Sequence, residues 1–130
     1  MKFTFGIITT TQVPAEVIQS IINLNIPEYE IIVIGGETQT WYGNVNHIPF
    51  DESSSTYTVK KNLITKYSKY ENIVYTHDYF IFDSKWYKGF EKFGNDWDIC
   101  MNVIQNKDGT RFRDWCVWDD PTLCYNVEGY

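Results

Sequence analysis

No Walker GxxxxGK[ST] loop, GxGxxG fingerprint or GxSxG elbow occurs anywhere in the chain. Phosphate cradling by a P-loop, dinucleotide binding and serine-nucleophile hydrolysis therefore lack their usual scaffolds. Histidine is scarce: His47 and His77 are the only two, too few for a histidine-rich metal centre. Cysteine is scarce as well. Cys100, Cys116 and Cys124 form no CxxC pair and leave an odd thiol in any pairing scheme, which suits buried thiols in a reducing compartment. Basic residues are outnumbered, 11 Lys and Arg against 17 Asp and Glu, for a formal net charge of −6 and a pI near 4.8. Nucleic acid is not the expected partner, because its phosphates are bound by clustered cations. Apolar runs are short. The longest, residues 31–34 and 99–104, fall far below the roughly 18–20 residues of a membrane span. No apolar signal region follows Met1-Lys2-Phe3, so the expected location is cytoplasmic.

What is present is a globular composition: 130 residues, 43% hydrophobic and 22% charged, the size of one domain able to bury its own core. Five Trp, ten Tyr and eight Phe form an unusually heavy aromatic load. Such rings either fill the core or offer faces to sugars and bases.

The pattern along the chain alternates strand and helix. Lys2-Phe3-Thr4-Phe5-Gly6-Ile7-Ile8-Thr9-Thr10 reads as a β-branched and aromatic strand closing in threonines. Pro14 suits a first helical position, and Val17, Ile18, Ile21, Ile22 and Leu24 recur at helical spacing until Pro27. Glu30-Ile31-Ile32-Val33-Ile34 runs into Gly35-Gly36 as a strand buried on both faces, which makes a βαβ unit. A polar, glycine-containing stretch follows, with a short strand candidate at residues 45–50. Thr58 can cap a helix through Lys60, Leu63, Ile64, Tyr67 and Tyr70, and Asn72-Ile73-Val74-Tyr75-Thr76 reads as the next buried strand. Asp83-Ser84 can cap a helix carrying Trp86, Tyr87, Phe90 and Phe93, with Gly94 at its C′ position. Residues 99–104 read as a strand, Asn106-Lys107-Asp108-Gly109 as a turn, and residues 110–117 as an antiparallel return. The expected fold is therefore α/β, with a mixed, mostly parallel, Rossmann-like sheet flanked by helices.

Ligands of such folds sit beyond the carboxyl ends of the parallel strands. Here those ends are Thr9-Thr10-Thr11, Gly35-Gly36-Glu37 and Thr76-His77-Asp78-Tyr79. In order, Phe5-Gly6-Ile7-Ile8-Thr9-Thr10, Glu30-Ile31-Ile32-Val33-Ile34-Gly35-Gly36, Lys61-Asn62 and Ile73-Val74-Tyr75-Thr76-His77-Asp78-Tyr79-Phe80-Ile81 resemble the successive blocks of family 2-like GT-A glycosyltransferases. The resemblance runs from Phe3 to about Trp118.

What the resemblance implies is a nucleoside-diphosphate sugar donor, a divalent Mn²⁺ or Mg²⁺ ion, and transfer of a hexosyl or deoxyhexosyl group to the hydroxyl of a glycan or other acceptor. Thr9 and Thr10 would border the base. Gly35 and Gly36, beside Glu37, would stand where the family has an acidic pair, and Lys61, followed by Asn62, would take the basic position near the nucleotide. His77-Asp78-Tyr79 would occupy the DxD turn, with Asp78 and His77 as the metal ligands. Tyr79 is a poor ligand for either ion. The plainer reading of His77-Asp78 is an Asx-type cap on the following helix. Asp119 and Asp120, in the Trp118-Asp119-Asp120-Pro121 turn, are the candidates for a catalytic base. The family usually places that base further along, in an acceptor-binding part after an additional strand and helix; either that part is cut off at Tyr130 or the protein is naturally short. Two other readings stand beside transfer: a non-catalytic nucleotide- or carbohydrate-binding module, and an aromatic-rich domain that binds a protein.

Overall fold

The computed structural model of the chain describes residues 1–41, 43–54 and 57–110. It divides into two compact units, Met1–Gly94 and Asn95–Tyr130. The first holds every regular element found among the described residues: β1 (Phe3–Ile8), α1 (Ala15–Ile22), β2 (Tyr29–Ile34), β3 (Val45–Ile48), a 3-10 turn at Glu52–Ser54, α2 (Tyr57–Tyr67), β4 (Asn72–His77) and α3 (Trp86–Phe93).

The four strands form one sheet in the order β3-β2-β1-β4, and every pairing is parallel. This corrects the expected mixed sheet for the described residues. Most of the expected return at residues 110–117 lies outside them. Residues 99–104 form no strand: Ile99, Met101 and Val103 are exposed, and the segment has no ladder to complete it among the described residues.

Register sorts the side chains by face. Thr4, Gly6 and Ile8 of β1 align with Glu30, Ile32 and Ile34 of β2 and with Ile73, Tyr75 and His77 of β4. Ile8, Ile32 and Ile34 pack with Ile64 of α2 in a core cluster edged by Ile48, Phe50, Leu63 and Ile73. Gly6 makes this packing possible, because a Cβ there would stand 2.3 Å from Ile64 Cγ2. At the amino end of this face, buried Thr4 donates to Glu30 Oε1 at 2.6 Å and accepts from Tyr70 N at 3.2 Å.

The other face of β1 is aromatic. Phe3 meets Trp86 at 5.1 Å and Phe90 at 5.6 Å, and Phe5 meets Phe82 at 5.2 Å and Trp86 at 5.5 Å. Part of the aromatic load is therefore core. Val17, Ile18 and Ile21 are the buried stripe of α1.

Element ends follow local chemistry. Pro14 is the N-cap of α1, one position before the helix rather than inside it, with Val17 N donating to its carbonyl at 3.0 Å. The helix closes at Ile22 with Asn23 as its C-cap, and the chain turns away before Pro27 at Asn25, whose left-handed φ of 54° is one that asparagine tolerates. β3 stops at Ile48, and Pro49, which has no N–H to donate, follows it. Ahead of α3, Asp83 Oδ1 accepts from Lys85 N at 2.7 Å, and Gly94 ends the helix at φ 88°. In the second unit the expected turn is present: Asn106 N donates to Thr110 O at 2.7 Å and Gly109 N to Asn106 O at 2.9 Å. Among the described residues no helix is long and apolar enough to cross a membrane.

Candidate functional site

In a sheet ordered β3-β2-β1-β4 the chain winds to one side of β1 and then returns to the other. The carboxyl ends of β1 and β4 mark the switch point, the place at which open α/β sheets hold ligands. Thr9, one residue past β1, and Asp78, one past β4, meet there: Thr9 Oγ1 donates to Asp78 Oδ2 at 2.5 Å. Phe80 N closes the following turn by donating to His77 O at 3.4 Å. The Asp78 carboxylate thus faces the first strand, and the Asx turn before α3 is Asp83's.

His77 is half-buried on the α2 face of the sheet. Its ring stacks on Tyr79 at 5.3 Å with 16° between planes, meets Tyr57 edge-on at 5.8 Å and lies 6.3 Å from Phe80. Burial pushes the imidazole below its ordinary pKa, the Lys61 charge lowers it further, and Asp78 opposes both. The favoured form is neutral. Lys61 therefore acts at His77 from α2, and Asn62, the next residue, is exposed.

Gly35, Gly36 and Glu37 form a second group, on the β2 side. Gly35 N donates to Ile48 O at 3.0 Å, and its carbonyl accepts from His47 Nε2 at 2.9 Å. Gly36 N donates to Glu52 Oε1 at 3.1 Å, and Glu37 N to Thr11 O at 2.8 Å. Gln39 adds a two-way bridge to the backbone of Val13 at 3.0 Å in each direction. The loops after β1 and β2 are laced together. The lace needs glycine: Gly35 and Gly36 have φ of 87° and 73°, and a Cβ on Gly36 would lie 2.0 Å from Thr11 O. The Glu37 carboxylate turns outward to Gln12 at 3.0 Å, and Thr10 is exposed.

Both groups hinge on a residue that the sequence reading placed in the second helix without a buried partner. Lys60, only 1% exposed, donates to Thr9 O at 2.6 Å and to both Glu52 oxygens at 2.8 and 2.7 Å. Burial raises the pKa of Glu52, but the bonds from Lys60 and Gly36 and the Lys60 charge outweigh it and hold the carboxyl below its ordinary range. A signal for Lys60 was available. It stands four residues before Ile64 on the apolar stripe of α2, where a charged side chain must carry its partner inside.

Asp119 and Asp120 lie outside the described residues. Among the described residues no group of three or more His, Cys, Asp or Glu side chains is placed to hold a metal ion. His77 and Asp78 are adjacent donors, and one Asp78 oxygen already accepts from Thr9. This set fits a Mg²⁺- or Mn²⁺-type site only where a ligand's own phosphate oxygens supply most of the coordination, a common arrangement for Mg²⁺.

Scans against family models, curated proteins and solved structures give no match to this chain. The likeness to GT-A glycosyltransferases accordingly rests on the four sequence blocks, and the structure supplies an α/β domain with a parallel sheet.

Proposed function

We propose that this chain is a GT-A-like, nucleotide-sugar-binding domain, which receives a nucleoside-diphosphate sugar beyond the carboxyl ends of β1 and β4 and serves transfer of the sugar to an acceptor hydroxyl. The observation that carries this reading is the Thr9–Asp78 hydrogen bond at 2.5 Å, which joins residues 69 positions apart at the switch point. In this reading Thr9 and Thr10 border the ligand, Lys61 faces its diphosphate, and Tyr79 offers a ring. Gly35, Gly36 and Glu37 wall the site on the β2 side. Asp78 and His77 would hold a divalent ion together with the diphosphate, and such an ion offsets the charge that builds on a departing diphosphate.

The single carboxylate in the turn after β4 favours a second reading, in which the domain binds the nucleotide sugar without turning it over. Thermal unfolding with Mn²⁺ and a panel of UDP, GDP and ADP tests the shared part. A ligand at 100-fold its Kd adds about 2.7 kcal/mol to stability, which reads as a rise of several degrees in Tm. The rise is expected for at least one nucleotide in the intact chain and is expected to vanish in Asp78→Ala. A flat response across the panel sinks both readings. Release of free nucleoside diphosphate from a bound sugar donor then separates transfer or hydrolysis from binding alone.

A further inference from the structure

On its β2 side the carboxyl edge of the sheet is occupied by the protein itself. The amide and carbonyl of Gly35 and the amide of Gly36 are bonded internally, and a Cβ on Gly35 would stand 2.4 Å from Glu52 Oε1, 2.5 Å from Thr9 O and 2.7 Å from Lys60 Nζ. That turn offers a planar ring neither an amide to pair with nor an open face. The β4 side differs in both respects. Tyr57 is 63% exposed and Tyr79 is 65% exposed, and each touches the half-buried ring of His77. Lys61 stands four residues after Tyr57 in α2, on the same side of that helix, and its charge acts on the same ring. Large exposed rings beside a cation suit a ligand that is planar at one end and anionic at the other.

We infer that the base of the bound nucleotide stacks on Tyr57 and Tyr79 at the β4 end of the sheet, with its diphosphate toward Lys61. The base does not sit against Thr9, Thr10 and the end of β2, where the family likeness implies it. This inference rests on the functional reading above and adds to it the place and the chemistry of base recognition. Phe80, tilted against Tyr79 at 4.7 Å, adjoins the platform.

Calorimetric titration with UDP, GDP, ADP and inorganic pyrophosphate, each with Mn²⁺, provides the test. The best nucleoside diphosphate is expected to bind the intact chain about tenfold or more tightly than pyrophosphate, the scale of one base on one aromatic ring. Tyr79→Ala and Tyr57→Ala each close most of that gap and leave pyrophosphate affinity within about twofold, because they remove the ring and spare the charge. Tyr79→Phe keeps the gap. Both alanine substitutions fall on exposed rings, and circular dichroism checks that the fold is intact. If a nucleotide binds but both alanine variants keep the full gap, or the intact chain shows no gap, the functional reading stands and the aromatic seat is overturned. If no nucleotide binds, the functional reading and this inference fall together.

Discussion

Where β2 ends, the chain has spent its polar groups on itself; where β4 ends, it presents rings and a carboxylate to the outside. The first region is a closed knot of Gly35, Gly36, Glu52 and Lys60, with Lys60 at 1% exposure. The second has Tyr57 and Tyr79 more than half exposed around His77. Thr9 belongs to both, through its carbonyl to Lys60 and its hydroxyl to Asp78. The contrast separates two meanings of a residue at the carboxyl edge of a parallel sheet. Gly35 and Gly36 are shaped by internal packing, whereas Tyr79, beside His77 and Asp78, retains exposed surface.

The sharpest way to break this contrast is to open the closed side. Gly35→Ala forces a left-handed residue into contact with Glu52, Thr9 and Lys60. Backbone strain and overpacking together are expected to cost about 3 kcal/mol or more, read from the urea midpoint. Lys60→Met comes next: it strands the half-buried Glu52 carboxylate and frees the Thr9 carbonyl. A loss of about 2–3 kcal/mol is expected, below the full cost of a split buried pair because Glu52 keeps some contact with water. Glu52→Gln keeps an acceptor for Gly36 and costs about 1 kcal/mol. A Lys60→Met loss no larger than that of Glu52→Gln would show that the knot is not what holds the edge together.

The smallest effect is a difference in pH response between the two regions. The folded His77 ring resists protonation relative to its ordinary value of 6.5, so the unfolded chain takes up that proton first. Its contribution to stability is complete above pH 6.5 and declines as pH falls below it. Glu52, held below its ordinary 4.5, keeps its contribution above that pH and loses it as pH drops through the lowered folded value. Unfolding curves from pH 7.5 to 3.5 should therefore fall in two stages. His77→Gln is expected to flatten the upper stage and Glu52→Gln the lower.

Much of the frame was legible because it is local. The run Ile31-Ile32-Val33-Ile34 before two glycines could only be a strand buried on both faces, and the helical recurrence of Val17, Ile18 and Ile21 marked α1. The rings of Trp86 and Phe90 fell on the inward side of α3, as their spacing required. What failed was what depends on a distant partner. Residues 99–104 are an apolar run of strand length, yet such a run supplies no ladder, and Ile99 is 88% exposed. The Lys60–Glu52 pair escaped notice for a related reason: Glu52 lies in a polar stretch with no period, and only its position against Gly36 and α2 gives it meaning. At the site, the sequence marked Thr9, His77 and Asp78 by their places after strands, but not that Thr9 would reach Asp78.

The strand order also sets a timetable. β1 lies between β2, which begins 26 positions after it, and β4, which begins 69 positions after it. During synthesis at roughly 5–20 residues per second, β1 can zip to β2 while its other edge waits about 3–14 seconds for β4. Throughout that interval Thr9 has no Asp78 to meet, and the aromatic side of β1 lacks α3. The Thr9–Asp78 hydrogen bond therefore closes among the last long-range contacts of the Met1–Gly94 unit, so the proposed site forms only once that unit's sheet is complete.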